Sequence, residues 1–283
     1  MAIITISRGC YSHGKEIAER AAAALGYECV SREILIEASQ HFDVPEKKLL
    51  TSIHDAPSLL ERITRGRERY LSFIQTALLD HVKKDNVVYH GHAGHLLLRE
   101  FPWVLKVRVI ADMEDRAAML QKEKKMSKAQ AMAYLHNDDR QRAEWTRYLY
   151  KKEVSDPNLY DMVVKIGALT IDDACDIVVN AASEEAYRLT PELKQRLVDL
   201  SIESNLHVLL SDVCDAEIHS RDGCVRIRCR PQRIRKFDPI RPSLASHIDE
   251  TIRDDLTHKI VQIARSVPDV KEVACDVDSP YYR

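Results

Sequence analysis

No apolar run in this chain approaches the roughly 20 residues that a membrane-spanning helix needs. The opening Met1-Ala2-Ile3-Ile4 leads straight into a β-rich stretch, so no secretory leader is expected and the chain reads as cytoplasmic. Cysteine occurs seven times, an odd number, and no C-x-x-C pair is present. That pattern argues against a disulfide framework or a zinc ribbon and for free thiols in a reducing compartment. Charge of one sign is lacking too: the formal net charge is −2, which exerts no overall pull towards nucleic acid or an anionic membrane. Glycine is sparse, with eight residues in 283. A pair of glycines at a chemically meaningful spacing therefore carries more weight here than in a glycine-rich chain.

Such a pair stands near the front. An apolar run, Ala2-Ile3-Ile4-Thr5-Ile6, precedes Gly9-Cys10-Tyr11-Ser12-His13-Gly14-Lys15-Glu16, and an alanine-rich helical pattern follows to Leu25. Strand, G-x-x-x-x-G-K loop and helix form the context in which a phosphate-binding loop makes physical sense. Glycines allow the tight turn, successive N–H groups converge on one anion, and the helix start adds its positive dipole end. Gly9, Tyr11, Ser12, His13, Gly14, Lys15 and Glu16 are the candidate nucleotide-binding residues, with Lys15 carrying the charge for the terminal phosphates. The position after Lys15 normally supplies a Ser or Thr hydroxyl to Mg²⁺, and here it is Glu16.

The 45% hydrophobic and 30% charged fractions are ordinary for a globular chain of one large or two medium domains. Through residue 187, short apolar runs alternate with helical patterns, the signature of an α/β fold with a parallel sheet. Strands are expected at Ile3–Ser7, Glu28–Val30, Asn86–His90, Val104–Ile110 and Met162–Ile166, with helices near 14–25, 31–41, 57–83, 112–124, 127–150 and 170–187. The grammar changes at Thr190-Pro191, a helix N-cap and first-turn pair. A helix to about Asn205 follows, then two strand-like runs joined at Arg221-Asp222-Gly223, a D-G hairpin signal. A Pro- and Arg-rich connection, a helix over 246–267 and a last strand over 270–277 complete a second α+β domain of order α-β-β-α-β. The domains are expected at 1–187 and 188–283.

With these elements in place, the first domain resembles the cytidylate-kinase-like branch of the P-loop nucleoside monophosphate kinases. The residues that carry the resemblance are Ile4-Thr5-Ile6-Ser7-Arg8, Gly14-Lys15-Glu16-Ile17-Ala18, Leu25-Gly26-Tyr27, Val87-Val88-Tyr89-His90-Gly91, Arg116, Asp139-Arg140-Gln141-Arg142 and Tyr160-Asp161. The resemblance implies a five-stranded parallel P-loop NTPase sheet flanked by helices, use of ATP and Mg²⁺, and transfer of a γ-phosphoryl group to a nucleoside monophosphate or a related small acceptor. It implies that Arg140 and Arg142 are lid cations and that Arg116 assists them. Phosphoryl transfer needs such cations to converge from several elements. At the acceptor end it points to Ser31, Arg32, Gly91 and His92. Ser31 could equally cap a helix, and His92 stands where an arginine fork is usual. The run His90-Gly91-His92-Ala93-Gly94-His95 is read as a loop facing the nucleotide, with no metal site assigned.

The second domain resembles the BON domain in element order, in Gly223-Cys224-Val225-Arg226-Ile227, and in the stretch Ile263 to Val273. The resemblance implies a phospholipid surface or another ligand as its partner. Eight Lys or Arg lie between Arg221 and Arg241 against Asp222 and Asp238, either a solvated strand face or a site for an anionic ligand. Phe237 is the one aromatic residue in that stretch, which argues against nucleic acid. The sequence thus leaves two functions open. One is a nucleotide kinase. The other is a catalytically degenerate nucleotide sensor whose second domain binds a membrane surface, an anionic ligand or a protein partner. Assembly with further copies of the chain is also left open.

Overall fold

The computed structural model describes residues 2–31, 33–42, 47, 66–91, 93–230 and 242–278. The chain divides into two compact units, Met1–Thr190 and Pro191–Arg283.

In the first unit, five strands run parallel: β1 Ile3–Arg8, β2 Glu28–Val30, β3 Val87–His90, β4 Val104–Ala111 and β5 Met162–Ile166. Their spatial order is β2-β3-β1-β4-β5. Parallel neighbours cannot be joined by a tight turn, so helices make the crossings. These are α1 Gly14–Leu25, α2 Glu33–His41, α3 Gly66–Val82, α4 Gly94–Leu97, α5 Met113–Lys124 and α6 Lys128–Tyr150, and α7 Ile171–Ala182 follows the last strand. The run Ile3-Ile4-Thr5-Ile6 is buried on both faces, which suits β1 to the sheet centre. The chain builds β2 and β3 on one side of β1, then crosses over to build β4 and β5 on the other. Such a reversal opens a crevice at the C-terminal strand ends, where ligands bind in open α/β sheets.

Helix α1 buries Ile17, Ala18, Ala21 and Ala22 at helical spacing. These pack in one cluster with Ile4, Ile6, Val107 and Val109 of the sheet and with Ala174, Cys175 and Val178 of α7. Small residues let α1 and α7 lie close to the strands. Capping boxes start the later helices: Ser127 with Gln130 at α6 and Thr170 with Asp173 at α7. The helix expected over 57–83 is present at Gly66–Val82, and its earlier part lies outside the described residues. Two expectations are corrected. The helix expected over 170–187 ends at Ala182, with a separate 3-10 turn at Glu185–Tyr187. The stretch read as an open loop after His90 contains the one-turn helix α4, too short to show a period.

The second unit orders α8 Pro191–Leu210, β6 Asp215–Arg221, β7 Cys224–Arg230, α9 Pro242–Ser266 and β8 Glu272–Val277. Its sheet is β6-β7-β8, antiparallel at the hairpin and parallel between β7 and β8. Asp222 (φ 55°) and Gly223 (φ 80°) are both left-handed, as a type I′ turn requires. Buried Asp199 of α8 braces that turn, accepting from Asp222 N at 2.9 Å, Gly223 N at 3.0 Å and Ser220 Oγ at 2.8 Å. Val225, Ile227 and Cys229 face the core with Ile202, Leu206 and Ile260, while Cys224, Arg226, Arg228 and Arg230 face outward. The connection at 231–241 lies outside the described residues.

Candidate active site

The loop after β1 has a distinctive backbone. Tyr11 (φ 59°) and His13 (φ 63°) are left-handed on either side of Ser12. Left-handed residues at alternate positions are the mark of a nest, a concavity of N–H groups suited to an anion. Each costs a non-glycine residue about 1–2 kcal/mol, so the surroundings must hold it. Ser12 does part of this: it is buried, with Oγ 2.9 Å from Gly9 O and 3.2 Å from Val109 O of β4. No side chain caps α1 at His13, which leaves the first-turn N–H groups available to a ligand. Gly14 is required where it stands, because a Cβ there would lie 2.6 Å from Arg8 Cβ.

Beneath the loop lies a cavity of about 280 Å³ lined by side chains of four elements. Arg8 comes from β1, Arg108 from β4, Arg116 from α5, and Asp139 and Arg142 from α6. Arg116 donates through both Nη atoms to Asp139 at 2.8 Å each and through Nε to Cys10 O at 2.7 Å. Arg142 donates to Asp138 Oδ2 at 2.8 Å and to Arg8 O at 3.0 Å. Burial, then the neighbouring Arg142 charge, pulls the Arg8 guanidinium below its ordinary value. Burial likewise pushes the Cys10 thiol up, which keeps it protonated and unreactive.

The residues singled out from the sequence divide into two groups. Gly9, Ser12, Arg116 and Arg142 meet at the cavity. Lys15 and Arg140 are not among its lining residues. The Lys15 side chain is 63% exposed, with Nζ 3.6 Å from Glu19 Oε1. Arg140 Nη2 donates to Asn137 Oδ1 at 2.8 Å on the exposed side of α6. Tyr11 Oη donates to Glu123 at 3.1 Å. Ser31 sits half-buried after β2, and Gly91 follows β3 with its N–H on Ile6 O at 3.3 Å. Arg32 and His92 lie outside the described residues. Sequence reasoning passed over Arg8 and Arg108 as site residues. The available signal was Lys106 and Arg108 alternating within the otherwise apolar Val104–Ala111, since a cation in an inner strand must be there for a partner.

The phosphates of a nucleotide fit this loop: a nest, an uncapped helix start and Lys15 one residue beyond it. A protein ligand for Mg²⁺ does not fit as well. Glu16 is engaged by Arg20 at 2.6 Å and lies 3.5 Å from His13 Nδ1. Among the described residues no group of three or more His, Cys, Asp or Glu could hold a metal ion. Nor, among them, is any helix long and apolar enough to cross a membrane.

A five-stranded parallel sheet in this order, with a glycine-bounded loop between β1 and α1, is a kinase-like α/β fold. Residues 3–168, more than half of the chain, match the sequence model of the Cytidylate kinase-like family, and the chain belongs to that family. Among solved structures it is similar to a protein of Eubacterium ventriosum ATCC 27560, with 17% identity over 65% of this chain and 100% of that one, at a TM-score of 0.49. It is also similar to the shikimate kinase of Bacteroides thetaiotaomicron, at 11% identity over 65% and 99% of the two chains with a TM-score of 0.41. A gluconokinase of Sinorhizobium meliloti 1021 shows 12% identity over 64% and 94%, with a TM-score of 0.35. No curated protein matches the chain.

Proposed function

We propose that the first unit transfers a phosphoryl group from ATP to a nucleoside monophosphate or a related small phosphate acceptor. One observation carries the reading: arginines from four separate elements line a single cavity directly under a nest-forming loop. Phosphoryl transfer needs little covalent chemistry from the protein and much positive charge fixed in place. Arg116 and Arg142 arrive from α5 and α6 already oriented by Asp139 and Asp138. In this reading the loop N–H groups and Lys15 hold the nucleotide phosphates, and Arg116 and Arg142 neutralise the transferred group. Arg140 would reach the site only through a change at α6. The outward position of Lys15 is a weak obstacle. An exposed i,i+4 ion pair such as Lys15–Glu19 is worth about 0.3–0.5 kcal/mol, less than one hydrogen bond to a charged phosphate at about 1.5–3 kcal/mol. When bound, Mg²⁺ would screen the phosphate charge, held by phosphate oxygens and water.

The test is ADP release by the full chain with ATP, Mg²⁺ and a panel of nucleoside monophosphates and other small acceptors. Turnover that falls at least tenfold in Lys15→Met is expected. Protein that binds ATP yet turns over no acceptor would refute the reading. That result would favour the second one, a nucleotide sensor, for which the engagement of Glu16 by Arg20 speaks. In the sensor reading the second unit, BON-like in its α-β-β-α-β order, would report occupancy to an anionic or protein partner.

A further inference from the structure

Strand β4 pairs with β1 along one edge and β5 along the other, and Arg108 on it is half-buried at the cavity wall. Arg108 has neutral ones. Its Nη1 donates to Tyr160 Oη at 2.9 Å and to the carbonyl of Val154, and its guanidinium lies 5.4 Å from the centre of the Tyr160 ring. Tyr160 has its own bonds in order. Its hydroxyl donates to Val154 O at 2.9 Å and lies 3.2 Å from His95 Nε2. With the hydroxyl proton on Val154, the tautomer that completes the network carries its proton on Nε2 and donates to Tyr160. The other ring nitrogen, Nδ1, is buried with no partner among the described residues, as befits the unprotonated atom. The ring is neutral: burial, then the charges of Arg108 and Lys106, lower its pKa to about 3.

The contrast with the other cavity arginines matters. Arg116 is neutralised by Asp139 and Arg142 by Asp138. Glu153 at the cavity wall is taken by Arg147. Arg8 and Arg108 have no carboxylate ion pair among the described residues. An arginine offers five N–H donors. Arg108 commits two of them, both on Nη1, so Nε and Nη2 remain for a ligand. Two uncompensated guanidiniums on one cavity match the charge of a phosphate monoester. A neutral sugar or polyol would leave both charges without a countercharge.

We propose that Arg108 anchors a doubly charged phosphate group in this cavity, with Tyr160 and His95 as positioning residues that hold its guanidinium in place. The proposal deepens the phosphotransferase reading, on which its place in a reaction rests, by naming a phosphate-bearing ligand. The binding event itself can be measured without any nucleotide.

The experiment is isothermal titration of the full chain with inorganic phosphate and with pyrophosphate at several salt concentrations. Circular dichroism and the unfolding midpoint of each variant are recorded alongside. Arg108→Gln is expected to bind at least tenfold more weakly and with a shallower salt dependence, because one charge contact is lost. Arg108→Lys keeps the charge and loses the fork, and should fall in between. Tyr160→Phe keeps the ring and should bind several-fold more weakly with the salt dependence unchanged, which a general loosening of the fold would not produce. Wild-type phosphate affinity in folded Arg108→Gln overturns the proposal. If that variant does not fold, wild-type affinity in both Arg108→Lys and Tyr160→Phe overturns it. Phosphate binding lost in Arg108→Gln without kinase turnover in the parent would sink the reaction and keep the anchor. Turnover in the parent with unchanged phosphate affinity in Arg108→Gln would do the reverse.

Discussion

Asp139→Asn separates two roles for the acid that holds Arg116. The Arg116 side chain is 8% exposed and Asp139 37%, and two N–H···O contacts of 2.8 Å join them. Hydrogen bonds to a charged group contribute about 1.5–3 kcal/mol each when buried, and the exposure of Asp139 screens that figure, so a loss of about 2 kcal/mol is expected. Over a unit of 190 residues each kcal/mol moves the midpoint by about 2–4 °C, giving a fall of about 4–8 °C. The same substitution releases the Arg116 guanidinium into the cavity. Phosphate should therefore stabilise Asp139→Asn more than it stabilises the parent, since stabilisation grows with ligand affinity. Differential scanning calorimetry with and without phosphate reads both effects. A variant that melts like the parent, or one whose deficit is the same at every phosphate concentration, would refute the idea that Asp139 stands in for an anionic ligand.

Asp199 offers a pH test in the second unit. Burial opposes its ionisation, but the N–H groups of Gly223 and Asp222 and the Ser220 hydroxyl outweigh that and hold its carboxyl below the usual carboxylate range. A lowered folded pKa means stability that is present above the unfolded value of about 3.9 and lost as pH falls through the folded one. Asp199→Ala should accordingly cost about 2–3 kcal/mol at neutral pH and much less in acid, read by urea unfolding across pH. An equal loss at all pH values would rule the linkage out. Gly94→Ala would place a Cβ 2.5 Å from Tyr89 Cδ1, a buried ring, and should lower stability by about 1–3 kcal/mol in the same assay, whereas a neutral effect would show that the ring can shift freely. Gly14→Ala, which drives a Cβ against Arg8, should weaken ATP binding at least tenfold by calorimetry while leaving the second unit's unfolding unchanged, and undiminished affinity would mean the loop tolerates displacement.

The linear pattern carried much of the architecture because its signals are local. Period-two and period-3.6 burial, the Gly26 C-cap at φ 68°, the capping-box pairs and the Asp222-Gly223 turn act over a few residues and are written in consecutive letters. Gly9, Ser12 and Lys15 were legible for the same reason: a strand, a glycine-bounded turn and a helix start are one contiguous motif. The short helix α4 was hidden because four residues cannot establish a period.

The arginine cavity is another matter. Arg8, Arg108, Arg116 and Arg142 are spread over more than 130 positions, and no spacing rule relates them. Side-chain neutralisation is equally non-local: Lys15 turns to Glu19, and Arg140 to Asn137, because an exposed cation takes whichever nearby acceptor its own helix turn presents. The sequence by itself determined the strand–loop–helix cradle, the parallel α/β class and the family to which the chain belongs. Only the tertiary structure decided which cations share a cavity and which are left without a countercharge. Convergence there depends on the crossover from β3 to β4 and on the partners each guanidinium meets when water is removed.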